Sequence, residues 1–107
     1  MIKKLPPIEH VSRLGYFDLY KLRKSLKTRL ADRERSLKDA EAASAAIKNK
    51  FNPPKNALEF ADIAFADGRV VELKSEIFGF IAYLDEVNKY LEPMLEQFKN
   101  VAQPGNE

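Results

Sequence analysis

Acidic side chains gather around a single Asp-Gly pair in the middle of this chain. The stretch FADIAFADGRVVELKSEIF, residues 60–78, carries Asp62, Asp67, Glu72 and Glu76. Two chemistries could use such a set: oxygen ligation of a divalent cation, or proton transfer between paired carboxylates. The spacing excludes the helix-loop-helix calcium site, which needs Gly at its sixth position and a bidentate Glu at its twelfth. With Gly68 sixth, the first and third positions fall on Ile63 and Phe65 and the twelfth on Lys74. Transition-metal sites lack donors, because the chain has one histidine, His10, and no cysteine. His10 has no nucleophile or acid spaced to make a triad with it, and reads as an exposed histidine near the terminus. The glycines stand singly at 15, 68, 79 and 105, so no loop is built to cradle phosphate. The acid pairs, including Asp85 and Glu86, mostly fall away from the apolar positions described below and read as a solvated face. No catalytic, metal-binding or cofactor-binding residue is assigned, no cofactor is expected, and the reading is of a protein without enzymatic activity.

The elements that carry these residues follow from periodicity. Pro6-Pro7 predicts an extended arm over 1–8, with a short helical turn around His10–Leu14. From Tyr16 to about Lys50 there is no proline or glycine, and Leu, Ala, Lys, Arg and Glu dominate, all good helix formers. Leu19, Leu26, Ala40 and Ile47 fall on one heptad position, interrupted by Arg33, and Leu30, Leu37 and Phe51 on the other. A long helix over 16–51 is expected, stopped by NPPKN at 52–56. Asn56 and Glu59 have the spacing of a capping box. ALEFADIAF then predicts a short buried helix over 57–66, with a β-hairpin as the competing reading because Asp-Gly is a hairpin turn signal. Asp67-Gly68 is expected to form a corner between helices, with Gly68 left-handed. Ala66, Asp67, Gly68, Val70 and Glu72 together are similar to the corner of tellurite-resistance TerB-like helical domains, a likeness confined to residues 66–72.

Beyond the corner the pattern is strongly heptadic. Val70, Ile77, Leu84, Leu91 and Phe98 share one position, and Leu73, Phe80, Val87, Met94 and Val101 the other. That predicts a long helix over 69–101, kinked near Pro93, and a disordered tail over 102–107. The expected fold is all-α: two long antiparallel helices and a short connecting helix, as a three-helix bundle or as a hairpin that dimerises into a four-helix bundle.

A chain of 107 residues supports one domain. Two N-terminal lysines without a following apolar run do not make a secretory signal, and no apolar stretch approaches the ~20 residues a membrane helix needs. A cytoplasmic protein is the expectation. Charge is uneven: residues 1–36 hold ten Lys/Arg against four acids, and the remainder eight against twelve, giving +6 and −4. This predicts either a basic surface for an anionic partner or mutual attraction between the two segments.

The last helix bears more apolar surface than a two-helix seam can cover. Val71, Phe78, Ile81, Tyr83, Tyr90 and Leu95 lie beside the seam. The short helix is expected to cover part, and another protein or a second copy, most simply in a homodimer, the rest, unless the chain's own fold hides all of it. The expected function is protein binding: a small helical adaptor, chaperone-like cofactor or inhibitor, a size class that phage and other mobile elements often encode. The candidate partner-binding residues are Tyr16, Phe17, Tyr20, Lys24, Lys27 and Arg33 on the first helix and Tyr83 and Tyr90 on the last, since Tyr and Arg most often anchor interfaces. The alternative is a nucleic-acid-binding module using the basic face of residues 21–35, where aromatics stand beside cations.

Overall fold

The computed structural model describes residues 5–101. Expectations for residues 1–4, the side chain of Val101 and the tail at 102–107 lie outside the described residues. The fold is all-α. A 3-10 turn, Ile8–Arg13, precedes two long helices, α1 over Tyr16–Lys50 and α2 over Ala57–Val101, which pack against each other.

Sequence reading and structure diverge at Gly68. The expected short helix over 57–66 and the helix over 69–101 are one continuous helix of 45 residues. Neither the corner nor the hairpin forms, and no glycine has a positive φ among the described residues. The physical reason is the unbroken phase of the apolar seam. Ile63 and Ala66 precede Val70 and Leu73 at the same alternating spacing of four and three, and Ala66 and Leu73 are buried. Breaking the helix at Gly68 would forfeit this seam, whereas a glycine within a helix costs only ~1 kcal/mol relative to alanine. The start of α2 is fixed as the sequence predicts. The Glu59 amide donates to Asn56 Oδ1 at 2.9 Å, and Glu59 Oε1 accepts from the Lys55 amide at 2.9 Å, one residue earlier than in the standard box. Pro93 lies inside α2, at an exposed position.

The chain divides into two compact units, and both long helices contribute to each. One unit comprises the chain up to Thr28 and the chain from Ile81; the other is Arg29–Phe80. In the first, Leu19, Leu22 and Leu26 of α1 and Val87 and Leu91 of α2 are buried, and Val11 of the 3-10 turn is buried with them. Three segments therefore enclose this core. The Arg29–Phe80 unit has only the two helices. Ala66, Leu73 and Ser44 are its buried residues, while the other seam positions, such as Leu37, Ile47, Val70 and Ile77, are half-buried. Two helices alone can bury one stripe each.

Candidate interaction surfaces

The polar residues at and beside the α1 seam are answered from α2. Arg33 Nε and Glu76 Oε2 stand 2.9 Å apart, both atoms withdrawn from solvent, in an ionic contact. Ser44, buried at a seam position, donates from Oγ to Asp67 Oδ1 at 2.7 Å, and Lys48 Nζ reaches the same oxygen at 2.9 Å. In the other unit Arg23 approaches Glu92 at 3.8 Å. The Ser44 hydrogen bond, and then Lys48, hold the Asp67 carboxyl below the usual carboxylate range. The charge asymmetry of the sequence thus appears as basic side chains on α1 facing acids on α2. Asp67, Glu76 and Glu92 belong to these contacts and not to an idle solvated face. Arg33, expected to meet a partner, is engaged within the Arg29–Phe80 unit.

The expected contact residues divide into two groups. Tyr83 is turned inward. Its hydroxyl donates to the Pro6 carbonyl, and burial pushes its pKa up. Tyr90 is half-buried with Lys89 over its ring at 5.5 Å, and Leu95 is half-buried. The N-terminal arm and 3-10 turn supply covering that the seam count omitted. Tyr16 is half-buried, its ring centroid 4.5 Å from that of Phe98 and 6.1 Å from that of Tyr20. Phe17, Tyr20, Lys24 and Lys27 are exposed. Tyr20, Arg23, Lys24 and Lys27 line a shallow groove, with the Arg23 guanidinium 5.9 Å from the Tyr20 ring centre.

A second surface lies on the outer side of α2 in the Arg29–Phe80 unit. Phe60 (61% exposed), Val71 (66%) and Phe78 (72%) lie within about 20° of one another around the helix and are open to solvent, while Leu58 (72%) and Phe65 (82%) are exposed roughly 140–160° further round. Between them stand Ala61, Ala64, Gly68, Ser75 and Gly79, all exposed. Of this surface, sequence reasoning found Val71 and Phe78 but missed Leu58, Phe60 and Phe65, because it assigned them to a helix folded back over the bundle. Phe60 stands 18 residues, five full helical turns, before Phe78, a spacing that a continuous helix makes legible and a separate short helix hides.

Among the described residues, no group of three or more His, Asp or Glu side chains is placed to hold a metal ion, and no helix is long and apolar enough to cross a membrane. No family model, no curated protein and no solved structure matches this chain.

Proposed function

We propose that this chain is a non-catalytic protein-interaction module of the adaptor, chaperone-like cofactor or inhibitor class, acting in the cytoplasm and associating with another protein or with itself. The observation that supports this best is the uncovered apolar outer face of α2. Contiguous apolar patches of more than a few hundred Å² are uncommon on proteins that work alone and mark sites of association. At ~200 Å² per ring, Phe60 and Phe78, which stand in line on this face, by themselves leave on the order of 270 Å² open, and Val71 lies between them. The test is affinity capture from lysate of the native cell, comparing the wild-type chain with a Phe60→Glu/Phe78→Glu variant of equal helicity by circular dichroism. Association through this face requires that proteins held by the wild type be lost from the variant. Identical capture by both chains refutes the reading.

The groove of Tyr20, Arg23, Lys24 and Lys27 favours a second reading, in which aromatic and cationic side chains engage a nucleic acid. A gel-shift titration at two salt concentrations decides it. Binding that weakens steeply with salt supports a phosphate contact, and no shift at low salt removes this reading.

A further inference from the structure

Two oblique rows of side chains run side by side over the first turns of α1, one led by rings and one of ammonium groups. We propose that together they bind a single-stranded nucleic acid, with unstacked bases on Phe17 and Tyr20 and phosphates along Lys21, Lys24 and Lys27. This deepens the reading of the groove at Tyr20 as a nucleic-acid contact and rests on it. It does not depend on the apolar face of α2.

The rows come from the helix period. Phe17, Tyr20 and Arg23 are three residues apart, and so are Lys21, Lys24 and Lys27. Residues at this spacing form a ridge inclined about 45° to the helix axis. Each lysine stands four residues after a member of the first row: Lys21 after Phe17, Lys24 after Tyr20 and Lys27 after Arg23. The two ridges are therefore neighbours in register. Phe17 is 75% exposed, Tyr20 is 46% exposed, and all three lysines are exposed. All six residues lie in one compact unit.

The rings are braced from beneath. Tyr16, half-buried with its ring centroid 4.5 Å from that of Phe98, meets Phe17 edge-on at 5.5 Å and stacks on Tyr20 at 6.1 Å. The Arg23 guanidinium stands 5.9 Å from the Tyr20 ring centre and is tethered by Glu92 at 3.8 Å. A platform fixed before binding loses little side-chain entropy when a base lands on it.

Charge says what covers this face. Arg23, Arg33 and Lys48, the cations of α1 turned toward α2, each have an acid. Among the described residues, no ion pair uses Lys21, Lys24 or Lys27. Asp18 is the one acid between residues 16 and 31, and it stands about 120° round the helix from Lys24. The face thus presents three unanswered positive charges beside two open rings. Its complement is a chain of regularly spaced anions carrying flat groups alongside, and a polynucleotide has both. In a duplex each base is covered by its neighbours in the stack, so only an unpaired strand offers base faces to a ring. An acidic peptide matches the lysines and leaves the rings without a flat partner.

The test is fluorescence anisotropy on the full chain with three labelled probes: an oligothymidylate of about 12 nucleotides, within the ~4–16 that such sites occupy, the matching oligouridylate, and a duplex of equal length. A single strand is expected to bind at least about tenfold more tightly than the duplex at low salt, and the tighter of the two strands tells DNA from RNA. With three phosphates contacted, the logarithm of the binding constant should fall against that of salt with a slope of roughly −2, and Lys24→Ala should flatten it by about 0.7. Phe17→Ala or Tyr20→Ala should weaken binding by about fivefold or more with the slope and the helicity unchanged. Duplex binding as tight as that of the strands overturns the proposal and leaves a nucleic-acid contact standing. Binding that ignores both ring substitutions, or a slope indifferent to Lys24→Ala, places the contact elsewhere and overturns it equally. Displacement by polyglutamate as readily as by unlabelled oligothymidylate shows that charge alone is read, assigns the face to an acidic protein, and overturns it too. No binding of any probe at low salt removes the proposal and the nucleic-acid reading together.

Discussion

Replacing Gly68 with alanine distinguishes a helix from a corner by the sign of one measurement. In the structure Gly68 lies in mid-helix, its φ is not positive, and a Cβ there would meet nothing within 4 Å. The substitution therefore introduces no clash. It removes the backbone entropy that glycine loses on entering a helix, about 0.8–1.0 kcal/mol. Dilute chain, where association contributes least, should gain that amount in stability. For a chain of this length the gain corresponds to roughly 4 °C in Tm. The assay is urea denaturation followed by far-ultraviolet circular dichroism at two chain concentrations, with Gly79→Ala as a second mid-helix position that is equally open. Were Gly68 the left-handed residue of a turn, alanine would instead destabilise by roughly 1 kcal/mol or more. A loss of stability for Gly68→Ala alongside a gain for Gly79→Ala would refute the continuous helix at residues 67–68 and the outer face built on it.

The remaining predictions concern the two cores and their polar contacts. Leu73 is fully buried in a unit with few other buried residues, so Leu73→Ala should cost about 2–5 kcal/mol, read by the same denaturation assay. Tyr83→Phe should cost about 0.5–1.5 kcal/mol by removing the hydroxyl that donates to the Pro6 carbonyl. Because burial raises the Tyr83 pKa above 10.0, its neutral form stabilises the fold below that value, and the benefit is lost as pH rises through the folded-state pKa; Tyr83→Phe should lessen the alkaline fall in Tm. Asp67 is perturbed the other way. Its folded pKa lies below 3.8, so its contribution is present above 3.8 and is lost as pH falls through the lower folded value. The Tm difference between wild type and Asp67→Asn should therefore shrink on acidification through that window, and a constant difference would show that the carboxylate charge is not what Ser44 and Lys48 hold.

The all-α hairpin was legible because it rests on periodicity. Ala66, Leu73, Val87 and Leu91 are buried in the phase that the heptads dictate, and the Asn56–Glu59 cap forms where its spacing places it. What misled was local turn chemistry at Asp67-Gly68. Asp-Gly is a strong turn signal between independent segments, but here the seam runs through it in register. Asp67 spends its carboxylate on Ser44 and Lys48 of the other helix, not on neighbouring amides. That single misreading also hid the candidate surface, since Leu58, Phe60 and Phe65 were assigned to a core that a continuous helix cannot make. Val11 and the Tyr83–Pro6 contact were illegible for a different reason: they depend on where an irregular N-terminal arm returns, which no period encodes.

The polar residues in and beside the seam have a function that apolar residues could not supply there. A stripe of Leu, Ile and Val tolerates a slip of one heptad with modest loss, because each layer finds another apolar layer. The charged pairs do not tolerate it. A slip in one direction sets Arg33 where Arg69 would face it and Lys48 where Phe60 would. In the other direction Lys48 meets Lys74, and Arg23 meets Lys99. Each alternative leaves a cation unpaired or against another cation, while the observed register gives Arg33, Lys48 and Arg23 the acids Glu76, Asp67 and Glu92. Such partly exposed pairs contribute little to stability individually, typically about 0–1 kcal/mol. Their value lies in the gap they open against slipped hairpins. Which side of α2 is spent on α1 is decided by the apolar seam, which a heptad slip preserves; within the Arg29–Phe80 unit Val70 and Ile77 are half-buried and Val71 and Phe78 are left facing outward.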